Sequence, residues 1–219
     1  MTVAEMILRI RSIFNETGTD SGFLDDADNI KKYIDTSQNQ IIDRLLSLQK
    51  GMQKTLPFFE VEALKILITK VTFNIDIAVD TYLFGDLAIE NYKQPYDLQA
   101  DLNNSGLKKG CTYKHVSEMK WNALNTYQAA SLAYPYYTVN TSSEIIVAPT
   151  PTANGTNAAD FRYYKKPAEV TGSVELTLTS ECHEAILYLS TALAYDQDKE
   201  QGLAAKYYQL FEKTAATIT

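Results

Sequence analysis

Two cysteine–histidine pairs are the part of this sequence that comes nearest to chemistry. Cys111 and His115 are separated by three residues, and Cys182 and His183 are adjacent. Four nitrogen and sulfur ligands can hold a tetrahedral zinc ion if the two segments meet in space. The spacing matches no common zinc pattern, and adjacent Cys and His side chains are awkwardly placed to share one metal. The pattern therefore favours a structural interpretation, with Cys182 as a small core residue and His183 as a polar residue in the first turn of a helix.

Other signals of catalysis are missing from the sequence. It contains no G-x-x-x-x-G-K-[ST], no G-x-G-x-x-G and no G-x-S-x-G motif. A Cys–His nucleophile pair would also need an Asn or Asp to orient the histidine, and no recognisable motif supplies one. We therefore predict that the protein is not an enzyme and that it uses no metal or cofactor.

Composition and charge limit the classes of partner. The 219 residues carry a net charge of −7, with a pI of about 4.9, whereas gripping DNA requires clustered Lys and Arg. The chain can lie beside DNA without binding it. No apolar run approaches the roughly 18 residues that span a bilayer, so we expect no membrane contact. The fifteen tyrosines fit both assembly and a β-sheet, because Tyr is favoured at partly hydrated protein interfaces as well as on sheet faces.

Hydrophobic periodicity divides the chain into helical ends and a β-rich middle. Apolar residues recur at helical spacing over 3–14 and 30–48, and again in two segments after Ser180, which is the predicted N-cap of the first of these two segments. Between them, β-branched residues alternate with polar ones over 64–84, which predicts a strand or a long hairpin arm. Three further segments fit strands: YPYYTVN, SEIIVAP and DFRYYK. A short helix is expected over 116–124.

These patterns predict an α+β fold. We expect a helical bundle, made of the N-terminal helices and a C-terminal helix hairpin, with a central β-rich extension. The chain is interpreted as a single domain over 1–219, with a helical core from 1–55 and 178–217 and a β-rich insertion at about 58–172.

The stretch ADFRYYKKPAEVTG combines two tyrosines, two lysines and a proline. Such residues can stack on and clamp single-stranded nucleic acid, but two lysines on an acidic chain are too few to favour that function. Strand alternation places Tyr163 and Tyr164 on opposite faces, and Pro167 ends the strand. We expect one tyrosine to pack into its own subunit and the other against a neighbour.

Three segments of the sequence form a pattern of core and turn residues: YYTVNTSSEIIVAPTPTA, ADFRYYKKPAEVTG and LTLTSECHEAILYLSTALAYDQDKEQGLAAKYYQLFEK. Together they resemble the head-to-tail adaptor (connector) proteins of tailed bacteriophages, chiefly those with short tails. The front half is similar more loosely, through FLDDADNIKKYIDTSQNQIIDRLLSL and a Y-x-x-P-x-D-L segment that begins at Tyr92.

The resemblance implies a non-enzymatic virion protein. Such adaptors form a ring, usually of twelve copies, between the capsid portal and the tail; the ring extends the DNA channel and offers a platform for tail proteins. The C-terminal helices commonly reach toward the portal. Candidate residues of the subunit or portal interface are Tyr163, Tyr164, Lys165, Lys166, Tyr207, Tyr208 and Phe211.

Two alternatives remain open from the sequence. One is another virion ring protein, such as a tail terminator or tube component. The other is a ligand-binding module of mixed fold, which would need a concave aromatic site with convergent polar groups. Its candidate residues are Trp121, Tyr127, Tyr134 and Tyr136.

Overall fold

A computed structural model of the chain describes residues 1–14, 27–53, 55, 60–119, 129–170 and 175–218. The long helices are α1 (Val3–Ile13), α2 (Ala27–Met52), α3 (Ser180–Gln197) and α4 (Gln201–Ala215). The strands are β1 (Ile68–Ile75), β2 (Thr81–Leu83), β3 (Tyr92–Ala100), β4 (Lys109–Tyr113), β5 (Tyr136–Val139), β6 (Glu144–Ala148) and β7 (Gly155–Lys165). The predicted α+β class is confirmed, whereas the arrangement of the helices as a bundle stays a prediction.

The chain divides into two compact units. A helical unit comprises Met1–Ile66 and Pro167–Thr219, and a sheet unit comprises Leu67–Lys166. The sequence predicted a β-rich insertion at about 58–172. Both ends of the sheet unit lie within nine residues of these predicted boundaries. The interpretation of the whole chain as one adaptor domain stays a prediction.

Helix α1 begins with a capping box. The Thr2 hydroxyl accepts a hydrogen bond from the Glu5 amide (3.2 Å), and the Glu5 carboxylate accepts one from the Thr2 amide (2.9 Å). The box satisfies two amides that the helix leaves unpaired, and such caps contribute about 1 kcal/mol. The predicted apolar stripe is the buried face of the helix, which consists of Val3, Met6, Ile7 and Ile10.

Helix α2 buries polar residues in its middle. Ser37 and Gln38 are fully buried, and the Ser37 and Ser190 hydroxyls form a hydrogen bond of 2.9 Å between α2 and α3. A buried hydroxyl is costly unless it is paired, so this bond fixes how the two helices align. Leu48, which the sequence placed on the apolar stripe, is 40% exposed.

The start of α3 differs from the sequence prediction by one residue. Thr179, and not Ser180, is the N-cap, and its side chain makes no capping bond to the helix backbone. The Thr179 carbonyl instead accepts from the Cys182 amide (2.9 Å). The predicted continuation of the helical turn at 116–119 to residue 124 lies outside the described residues.

The sheet unit contains a curled seven-stranded sheet with the order β1-β7-β3-β4-β5-β6-β2. All neighbours are antiparallel except β4 and β5. The edge strands β1 and β2 are consecutive in the chain and joined by residues 76–80 alone, so the sheet must curl to bring its edges together. Side chains on the inner face form one cluster around Phe161, which is fully buried.

The predicted alternation over 64–84 is wrong at residues 76–80. Strand β1 ends at Ile75, and the Val79 amide donates to the Asp76 carbonyl (3.1 Å) to close a tight turn. Ala78, the third residue of this turn, has φ 62°. Ile77 and Val79 continue the alternating pattern in sequence, but the left-handed residue between them breaks the strand.

Ala78→Gly is expected to stabilise the protein by about 0.5–1 kcal/mol, because glycine adopts positive φ without the steric cost that alanine meets. Ala153→Gly is the matched control: Ala153 lies in a neighbouring loop without positive φ, and the same change there should lower the free energy of unfolding. Urea denaturation of the two variants measures both effects. Equal decreases in the free energy of unfolding for Ala78→Gly and Ala153→Gly would contradict the left-handed conformation of Ala78.

Candidate functional site

The two cysteines are buried thiols rather than reactive ones. Cys111 lies in β4 of the sheet unit and Cys182 in α3 of the helical unit. Burial raises the pKa of Cys111 to about 12 and that of Cys182 to about 11. A thiol is nucleophilic only as the thiolate, so both are inert near neutral pH.

The histidines serve local structure. His183 is half-buried; its Nε2 lies 3.0 Å from the Leu178 carbonyl oxygen and its Nδ1 lies 3.2 Å from the Met1 amino group. Burial lowers the pKa of His183. His115 is exposed and its Nδ1 lies 2.9 Å from the Ser117 hydroxyl. Within the described ranges, no three His, Cys, Asp or Glu side chains come close enough to hold a metal ion.

Both cysteines should therefore react with a thiol reagent such as DTNB only after unfolding. Native protein at neutral pH is expected to show no fast reaction, and protein in concentrated guanidinium should release two equivalents of thionitrobenzoate. The absorbance time course measures this directly. A fast equivalent in the native state would contradict the burial of that thiol.

The strand β7 buries both tyrosines of the YYKK stretch. Tyr163 belongs to the inner core cluster, and its hydroxyl donates to the Glu90 carbonyl (3.2 Å). Tyr164 does not belong to that cluster, and its ring packs edge-on against Tyr96 with centroids 5.5 Å apart. Both rings are at most 3% exposed. Of this stretch, Lys165 and Lys166 are the exposed residues.

An ion pair stabilises the outer face of β7. The Arg162 guanidinium donates to both carboxylate oxygens of Asp97 on β3, with Nε 2.6 Å from Oδ1. The same guanidinium lies over the Tyr96 ring, 5.1 Å from its centroid. The sequence analysis did not predict this ion pair. The available signal was one charged residue of opposite sign in each of two strand segments, Asp97 in Y-x-x-P-x-D-L and Arg162 in DFRYYK.

Asp160 bonds β7 to β1 and to the residue that precedes β4. Its carboxylate accepts from Thr72 (2.7 Å) and lies 2.9 Å from the Lys108 ammonium and 3.3 Å from that of Lys70. Partial burial alone would raise the pKa of Asp160, but these hydrogen bonds and charges lower it to about 2. The two lysines are consequently engaged within the chain.

The C-terminal helices carry a stack of aromatic rings. Tyr207 of α4 stacks on Tyr195 of α3 with centroids 5.5 Å apart, and Tyr188 lies 6.3 Å from Tyr207. Tyr195 also stacks on Phe14 at the end of α1, with ring centroids 3.7 Å apart. Tyr208 is half-buried as well. The stack therefore joins α1, α3 and α4.

Phe211, the last of the predicted interface residues, packs inside the helical unit. It is 7% exposed, and the Arg44 guanidinium of α2 lies 5.4 Å from its ring centroid. Arg44 also pairs with Glu212 at 2.7 Å. Among the seven predicted residues, Lys165, Lys166, Tyr207 and Tyr208 thus retain solvent contact, while their role in an interface stays a prediction.

The stack yields a matched pair of substitutions. Tyr207→Ala removes two ring contacts, each worth about 0.5–1.5 kcal/mol, whereas Tyr208→Ala removes a half-buried tyrosine with no such contact in the described part of the chain. Tyr207→Ala should destabilise the protein by about 1–2 kcal/mol more than Tyr208→Ala, as measured by urea denaturation followed by circular dichroism. Equal losses would show that the stack contributes nothing.

Of the four aromatic candidates for a ligand site, the structure describes Tyr134 and Tyr136. Tyr134 is 75% exposed, and Tyr136 is half-buried with the Lys114 ammonium 5.5 Å from its ring centroid. Trp121 and Tyr127 lie outside the described residues.

Charge is distributed unequally between the two units. The sheet unit has nine Lys and Arg residues against nine Asp and Glu, so its net charge is zero. The helical unit has eleven against eighteen and carries the whole net charge of −7. Where the structure describes them, the helices include none that is long and apolar enough to cross a membrane.

Comparison with known families identifies the family of the chain. The family model for the SU10 adaptor protein covers residues 1–219, and no curated protein matches the chain. The chain belongs to the SU10 adaptor protein family. The resemblance to phage adaptors is thereby confirmed at the level of the family, whose members are structural proteins of the virion and usually not enzymes.

Proposed function

We propose that this adaptor forms a ring of twelve copies between the capsid portal and the tail of a phage particle. The ring extends the DNA channel and provides a platform for tail proteins. Membership of the SU10 adaptor protein family over the whole chain is the observation that carries this proposal.

The distribution of charge supports passage of DNA without binding. Phosphate affinity rises with the number of Lys and Arg contacts, and the helical unit has seven more acidic than basic residues. Several basic residues of the sheet unit are already paired, such as Lys70 and Lys108 with Asp160 and Arg162 with Asp97. A channel lined by such a chain repels the DNA backbone rather than retaining it.

The neutral sheet unit supports contact between copies. Twelve copies of a strongly charged surface would repel one another, whereas a unit of zero net charge can approach its neighbour without that cost. Of the predicted contact residues that remain accessible, Lys165 and Lys166 are exposed and lie in this unit, whereas Tyr207 and Tyr208 are half-buried and lie in the helical unit. We assign them to the interface with the neighbouring copy or with the portal.

The test is the mass of the purified protein in solution, alone and with the portal protein of the same particle. We expect a defined multimer on the portal, measured by mass photometry. Lys165→Glu/Lys166→Glu should weaken this assembly at least tenfold. Lys31→Glu/Lys32→Glu makes the same charge change on α2 and is the control that should leave it intact.

Wild-type protein that does not bind the portal protein and stays monomeric would refute the ring. Equal behaviour of the two lysine variants would remove Lys165 and Lys166 from the interface but leave the ring standing.

A further inference from the structure

One end of the curled sheet is built from loops. Strand register places the end of β1, the start of β7, the end of β3 and the start of β4 at the same end of the sheet. Three connections lie at this end: residues 76–80 join β1 to β2, 101–108 join β3 to β4, and 149–154 join β6 to β7. Residues 130–135, which precede β5, lie there as well. We call these four segments the loop end. The chain enters β1 and leaves β7 at the opposite end, because Ile68 pairs with Tyr164.

The loop end collects exposed apolar side chains. Ile77 is 54% exposed, Val79 39%, Leu107 71% and Tyr134 75%. The sheet unit has only two other large apolar side chains that are comparably exposed within its described residues, Leu83 (46%) and Tyr113 (44%), and both lie at the opposite end. Apolar surface concentrated at one end of a domain is typical of a protein contact.

Hydrogen bonds hold the loops of this end to one another. The Ala78 amide donates to the Pro151 carbonyl (3.1 Å), and the Thr152 amide donates to the Leu102 carbonyl (2.9 Å). The Asp101 carboxylate accepts from the amides of Ser105 (2.9 Å) and Gly106 (2.6 Å). The apolar side chains therefore project from a fixed surface, which reduces the entropy lost on binding.

At the loop end the lysines are paired within the chain, whereas two carboxylates form no ion pair in the described part of the chain. Lys108 pairs with Asp160 (2.9 Å), and the Lys109 ammonium donates to the Leu132 carbonyl (2.9 Å). Asp76 and Asp80, which flank Ile77 and Val79 in the turn, are exposed and take part in no ion pair with the described residues. The surface thus offers apolar groups and two unneutralised carboxylates, but no free lysine in its described loops.

We propose that the loop end docks a tail protein of the particle, and that the contact surface of this partner combines apolar side chains with Lys or Arg. This inference rests on the proposed ring, in which every copy presents its loop end in the same direction. If the loop end met the loop end of a second copy, the contact would give a two-fold dimer and not a ring, so the loop end does not bind itself in the proposed ring. The unneutralised charges of Asp76 and Asp80 disfavour nucleic acid and select a basic protein partner.

The experiment uses phage that lack the adaptor gene and are complemented with variants of the full chain. Ile77→Ser/Val79→Ser and Leu107→Ser/Tyr134→Ser change the loop end, and Leu83→Ser/Tyr113→Ser is the control with matched exposure at the opposite end. Thermal unfolding of each purified variant verifies that it folds. Purified particles are then analysed by quantitative mass spectrometry for adaptor and tail proteins.

We expect both loop-end variants to enter the particle at wild-type copy number and to deplete one tail protein at least tenfold, while the control gives complete particles. Asp76→Asn/Asp80→Asn should weaken binding of that tail protein, once purified, and reduce its dependence on salt. Complete particles from the loop-end variants would overturn the proposal. Folded variants that are themselves absent from particles would also overturn it, because the surface would then contact another copy or the portal, and the ring itself would stand.

Discussion

Strand β7 makes the pairing on which the sheet unit depends. It forms ladders with β1 on one side and β3 on the other, although 54 residues or more separate it from these strands in sequence. Its inner side chains, including the fully buried Phe161, supply the centre of the core. Its outer side chains, Asp160 and Arg162, form ion pairs with residues of the neighbouring segments. Register is therefore fixed on both faces, because a slip by one residue would expose Phe161 and bury these charges.

The same closure generates the loop end. Since β1 and β2 are joined by five residues, the sheet curls until four connecting segments meet at one end. Apolar residues that would extend a strand in an open sheet, such as Ile77 and Val79, are carried there by a turn with a left-handed residue. Exposed apolar surface and backbone strain thus coincide at one place, and such coincidence is typical of binding sites.

In the proposed ring, the two units would meet different demands. The helical unit carries the whole net negative charge, which would suit a surface past which DNA moves. The sheet unit is neutral and rich in tyrosine, which suits contact with other proteins. Neither of these two roles requires a catalytic group, and the buried thiols with raised pKa values agree with a structural role.

The sequence by itself determined the α+β class, the buried stripe of α1 and the family, because periodicity and core patterns are local properties of the chain. It also placed strands near Tyr136, Glu144 and Arg162. Only the tertiary structure decided that β7 lies between β1 and β3, that Asp97 pairs with Arg162, and that 76–80 is a turn, because these depend on closure of the sheet. It also decided that Tyr163, Tyr164 and Phe211 are buried, since strand or helix alternation shows which face a side chain takes but not what covers that face.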